Sequence, residues 1–221
     1  MTSMKQNYFL VLRQIFDSFQ FESIENETDR LLDAGVSPKS ILMECQSIMK
    51  EIGEKFERKE YFLPELVAAG DLFKSSSERI KRRHSSEGMD IVGQIVLGTP
   101  KGDIHNLGKD IFGVLAEASG FKVHDLGVDV TADAYLEKIE KTGAAFLGMS
   151  SLLTTNIKSM EEIINLLVKR GLRETTRVII GGGATTRDLA EKIGADHQTW
   201  DAYEGVKILQ AQSGLALPEV V

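Results

Sequence analysis

The chain predicts an α/β fold preceded by an N-terminal bundle of helices, and three observations predict it. Roughly the first eighty residues carry apolar side chains at helical intervals only. From Ile91 onward, short apolar runs alternate with stretches of helical spacing. Three of those runs end in turns rich in glycine, serine or threonine. Strand alternating with helix implies a parallel sheet covered by helices on both faces.

In the first part, Phe9, Leu12, Ile15, Phe16 and Phe19 fall on one helical stripe. Ser37-Pro38 is an N-cap followed by proline at the first helical position. It opens a helix bearing Ile41, Leu42, Cys45, Ile48, Met49, Ile52 and Phe56. Pro64 starts a fourth helix with Leu66, Val67, Ala69 and Phe73 as its apolar members, so the span reads as a four-helix bundle. Phe56, Tyr61, Phe62 and Phe73 are expected to be mostly core. Lys81-Arg82-Arg83-His84 reads as a solvated helix end. Residues 84–90 are polar with one glycine and form the expected linker, which separates a helical domain, 1–83, from an α/β domain, 91–221.

In the second part, strands are expected at Ile91–Leu97, Lys122–Leu126, Ala144–Met149, Arg177–Ile180 and, more weakly, His197–Trp200. Five strands fit the flavodoxin-like, doubly wound order 2-1-3-4-5, a Rossmann-like arrangement whose ligand crevice lies beyond the carboxyl ends of strands one and three.

Composition excludes several classes. A net charge of −7 argues against nucleic acid or an anionic membrane as main partner. No apolar run approaches the ~18 residues of a membrane span, and the N-terminus does not read as a secretory signal. A lone cysteine, Cys45, rules out an internal disulfide framework and suits a reducing cytoplasm; its helical context suggests a buried structural thiol.

The chemistry concentrates in Asp103-Ile104-His105-Asn106-Leu107-Gly108, in the turn after the first strand. A carboxylate two residues from an imidazole can orient it and raise its basicity, as metal-bound histidines require. Ser150-Ser151-Leu152-Leu153-Thr154-Thr155 follows the third strand and Gly181-Gly182-Gly183 follows the fourth. In the expected strand order all three motifs share one sheet edge. Aligned as D-x-H-x-x-G, S-x-L and G-G, they resemble the cobalamin-binding domain of B12-dependent methyltransferases. Gly98-Thr99-Pro100-Lys101 and Asp125-Leu126-Gly127-Val128-Asp129 extend the likeness to corrinoid proteins of methyltransferase systems and to the cobalamin module of methionine synthase, over residues 10–212.

That resemblance implies cobalamin as cofactor, cycling between methylcobalamin and Co(I) forms. Its benzimidazole would leave cobalt (base-off), and His105 would become the lower axial ligand (His-on). Asp103 would hold the other ring nitrogen. Gly108 would let the helix start pass close to the cofactor, and Ser150, Leu152 and Thr154 would line the displaced base and its tail. Gly182 and Gly183 would leave room for a flat heterocycle. The helical domain would cap the upper corrin face, with Glu54–Phe56 and Tyr61–Leu66 as its characteristic stretch.

Implied partners are a substrate:corrinoid methyltransferase, a corrinoid:acceptor methyltransferase and a reductive activase, with no nucleic acid and no membrane. The chain would be a non-catalytic-alone subunit carrying methyl groups. A cobalamin-dependent sensor and an adenosylcobalamin isomerase subunit are the alternatives; the absence of a recognisable DNA-binding helix pair and the presence of the helical cap weigh against them. Two departures stand out. Asn156 occupies the position where methionine synthase-like modules extend the Asp–His pair with a serine, and Gln198 stands where relatives often carry an aromatic, with His197 and Trp200 nearby. His84 and His124 are expected at the surface.

Overall fold

A computed structural model describes residues 8–83 and 91–214. The chain divides into two compact units between Asp90 and Ile91. The expected linker, 84–90, and His84 with it, lie outside the described residues.

The first unit holds four helices among the described residues: α1 (Leu10–Asp17), α2 (Phe21–Asp33), α3 (Pro38–Glu57) and α4 (Leu63–Arg83). Ser37 caps α3, its Oγ accepting from the Ser40 N–H at 3.1 Å, with Pro38 at the first turn. Leu12, Ile24, Ile41, Ile52, Leu72 and Phe73 are buried at helical spacing, which is what seals each helix to its neighbours. Cys45 is buried with them, and burial pushes its thiol up to about 12, Ser76 partly offsetting this. The expectation that Phe62 is core fails: it is 65% exposed, because it sits before the first turn of α4, where no neighbouring helix covers it. The end of α4 is also more than a solvated terminus. Arg79 and Arg83 both reach Asp29 on α2, at 2.9 and 3.0 Å, and Arg83 adds Asp33 at 2.7 Å.

The second unit runs β1 (Gly93–Gly98), α5 (Leu107–Ala118), β2 (Phe121–Asp125), α6 (Ala132–Thr142), β3 (Phe146–Ser150), a 3-10 turn (Thr154–Asn156), α7 (Ile157–Lys169), β4 (Arg177–Gly181), α8 (Arg187–Ile193), β5 (His197–Thr199) and α9 (Ala202–Gln212). The sheet is parallel in the order β2-β1-β3-β4-β5, as the alternation predicts. Its central strands are buried on both faces, so Ile95, Val96 and Leu97 form an unbroken apolar run. Val96, Leu147, Val178 and Ile180 pack with Leu136, Ile139, Ile163 and Leu167 of α6 and α7. β1 begins two residues later than expected, leaving Ile91 exposed. β1, β3 and β4 each run one residue further, into Gly98, Ser150 and Gly181, which brings their carboxyl ends level. His124, on β2 toward the sheet margin, is half-buried, its Nε2 paired with Gln94 Oε1 at 2.9 Å. Among the described residues no helix is long and apolar enough to cross a membrane.

Candidate functional site

The loop from β1 to α5 is held by a set of bonds that leave it little freedom. Lys101 N–H donates to Val130 O at 2.8 Å, Asp129 N–H to Asp103 O at 3.0 Å, and Gly102 N–H to Asp129 Oδ1 at 2.8 Å. Asn156 is buried and its Nδ2 donates to the Lys101 and Pro100 carbonyls at 2.9 and 3.3 Å. Thr99 Oγ1 donates to His105 O at 3.0 Å. Asn156 thus clamps this loop to the turn after β3 and makes no hydrogen bond to Asp103.

Inside the clamp lies Asp103, fully buried. Its Oδ1 accepts from the backbone N–H of His105 at 2.9 Å and from His105 Nδ1 at 2.6 Å. Its Oδ2 accepts from Ser151 Oγ at 2.7 Å and from the Leu152 N–H at 2.9 Å. Burial pushes the carboxyl pKa up, but these four donors outweigh it and hold the group well below the usual carboxylate range. An ionised Asp103 makes Nδ1 the protonated ring nitrogen of His105. The lone pair then sits on Nε2, which makes no hydrogen bond, on a side chain 50% exposed. The arrangement presents one oriented imidazole nitrogen to an incoming group.

Beside it, a cleft of about 90 Å³ opens at the carboxyl edge of the sheet. Gly108, Ser150 and Gly182 line it, while Leu152, Thr154 and Gly183 do not. Leu152 contributes its backbone N–H to Asp103 instead, its side chain being half exposed. Thr154 is exposed in the 3-10 turn. At Gly108 a Cβ would meet nothing, so the wall there is open. Gly182 is different: φ is +93°, and a Cβ would collide with the Ser151 carbonyl. What its missing side chain makes room for in this structure is the turn after β3, not a ligand ring.

Three contributors escaped the sequence reading. Ser151 was one of two adjacent serines, and nothing local tells which hydroxyl turns to Asp103. Lys109 is buried on the cleft wall, its Nζ held by Asp110 and Asp125 at 2.5 Å each; the Asp125-Leu126-Gly127 motif was its one available signal. Asp201 is the third; it closes the far side where α9 begins, next to Trp200, which the sequence had already singled out.

A buried carboxylate fixing an imidazole at the switch point of a doubly wound sheet, beside a glycine-walled cleft, defines a cofactor-binding α/β module. Comparison with known proteins says which. A model described as the B12 binding domain matches residues 75–206, and a second of the same description matches 14–81. The chain belongs to the B12-binding-domain family. It is 32% identical over 213 residues to the trimethylamine corrinoid protein of Methanosarcina barkeri, spanning 94% of this chain and 97% of the relative. It is 38% identical over 159 residues to dimethylamine corrinoid protein 1 of Methanosarcina acetivorans, spanning 72% and 75%. Among solved structures, a cobalamin-binding protein from Desulfitobacterium hafniense DCB-2 superposes with a TM-score of 0.68 at 32% identity, over 90% of this chain and 95% of that one. The fold is also that of a chain in the methanol:cobalamin methyltransferase complex MtaBC from Methanosarcina barkeri, with a TM-score of 0.86 at 23% identity, over 95% of this chain and 80% of that one.

Proposed function

We propose that the protein is a corrinoid methyl carrier, binding cobalamin with His105 Nε2 as the lower axial ligand of cobalt. The observation that carries this reading is the Asp103–His105 pair, whose geometry leaves the second imidazole nitrogen of a half-exposed side chain without a hydrogen bond. The donor set fits the group. Among the described residues no three His, Cys, Asp or Glu side chains gather to cage a metal, and a single histidine suits a metal whose equatorial positions a macrocycle already fills. Bound cobalamin would supply a cobalt centre able to take a methyl group from one protein and yield it to another.

The chain's own residues bind and orient. Asp103 fixes the tautomer and direction of His105, Ser151 and the Leu152 N–H hold Asp103 in turn, and Asn156 keeps the loop in place. The cleft lined by Gly108, Ser150 and Trp200 would receive the displaced base and its tail. A substrate:corrinoid methyltransferase, a corrinoid:acceptor methyltransferase and a reductive activase are the partners in this reading. Relatives named for dimethylamine and trimethylamine make a methylamine the first donor to try. The carrier would work in the cytoplasm, in keeping with a lone, buried, free thiol.

The test is the visible spectrum after incubation with hydroxocobalamin and desalting. Retained corrinoid whose spectrum changes in His105→Ala is the expected result. No uptake by folded wild type would overturn the reading.

A further inference from the structure

We propose that Trp200 is a specificity-determining residue that stacks on the flat aromatic base of the corrinoid's nucleotide tail, so that the protein selects corrinoids carrying such a base. The inference rests on the cobalamin reading above and deepens it.

Trp200 is the chain's single tryptophan, and it is 73% exposed while lining the cleft. An indole left that open to water forgoes most of the burial that usually stabilises one. Yet the ring is not loose. Its Nε1–H donates to the Thr185 carbonyl at 2.7 Å. Thr185 is itself fully buried, and Gln198 Nε2 donates to its hydroxyl at 3.2 Å. A large aromatic face is therefore held in a set orientation by a buried anchor while its surface stays uncovered.

The opposing walls suit a planar neutral ring. Gly108, where a Cβ would meet nothing, leaves the wall open, the backbone of Gly181 and Gly182 lines it, and Phe112 and Met149 add apolar surface. The charged groups on the walls are already committed. Lys109 is taken by Asp110 and Asp125, and Asp201 Oδ1 accepts from the N–H groups of Tyr203 and Glu204 at 2.8 and 3.0 Å. A phosphate or carboxylate finds no free cation there, whereas an aromatic heterocycle gains a stacking partner. The cleft reaches Gly108, three residues from His105, so a ligand bound at cobalt could extend its tail into it.

The experiment compares cobalamin with cobinamide, the same corrin without the nucleotide tail, by equilibrium dialysis against wild type, Trp200→Phe and Trp200→Ala. Stacking on an aromatic side chain is worth enough to expect a preference for cobalamin of about tenfold in wild type, largely kept by Trp200→Phe and largely lost in Trp200→Ala, with cobinamide affinity unchanged. The tail's benzimidazole nucleoside alone should also quench wild-type tryptophan emission, a readout that needs no variant and no metal. Equal affinity of wild type for both corrinoids, an undiminished preference in Trp200→Ala, or no quenching by the nucleoside overturns the assignment and leaves the carrier reading intact. Failure of wild type to bind either corrinoid strikes the carrier reading itself.

Discussion

The two units handle charge in opposite ways. In the helical unit, the α2–α4 ion pairs lie on the outside: Arg79, Arg82 and Arg83 meet Glu25, Asp29 and Asp33 across the helix pair, all partly exposed. In the α/β unit the decisive carboxylate, Asp103, is fully buried, and four donors from two loops converge on it. Exposed pairs add little because water screens them and long side chains lose freedom. A buried carboxylate persists only when it is fully paired, and then it directs whatever it touches. Charge in the first unit staples helices. In the second it aims an imidazole.

Substitutions should separate these roles. The largest effect is expected for Asp103→Ala, which strands the Leu152 N–H, leaves the Ser151 hydroxyl only its bonds with Leu153 and releases the His105 ring. Loss of about 3 kcal/mol in urea unfolding is expected, and corrinoid affinity should fall about 10–100-fold. Acid should sharpen the contrast. The folded pKa of Asp103 lies below its ordinary value of 3.8, so its contribution is complete above that value and fades as pH falls through the folded pKa. Wild type should therefore lose stability more steeply below about pH 4 than Asp103→Ala does, as thermal melts across pH would record.

Gly182→Ala comes next. Strain at φ +93° and collision with the Ser151 carbonyl should remove about 2 kcal/mol or more and lower the melting temperature, without touching the helical unit. Arg79→Ala should matter least, about 1 kcal/mol or less, with an effect that shrinks in high salt. A loss from Arg79→Ala as large as that from Asp103→Ala would erase the distinction between the two units.

These contrasts also mark what could be read from the chain alone. Strand order, the Ser37 cap and the Asp103–His105 pair were legible, because each depends on residues close in sequence or on a regular period. Asp103 and His105 stand two apart and meet within one turn. Ser151 and Asp103 are 48 apart, and which of two adjacent serines reaches the carboxylate depends on how the chain leaves β3. Gly182 was read as room for a ligand, whereas its neighbour is the backbone of Ser151, a contact between two loops that no local pattern encodes. The burial of Lys109 depends on Asp125 at the end of β2, and the exposure of Phe62 on its place before α4. Side chains whose surroundings come from distant segments were the ones misjudged.

The most direct test of His105 as the ligand is electron paramagnetic resonance of the cobalt(II) form of the corrinoid-loaded protein, grown with histidine of natural abundance or enriched in the heavy nitrogen isotope. Ligation by His105 Nε2 should change the superhyperfine pattern from triplets to doublets on enrichment, and His105→Ala should abolish the sensitivity to the label. Triplets that persist in the enriched wild-type protein would mean that cobalt keeps its benzimidazole nitrogen, and the Asp103–His105 pair would then need another purpose.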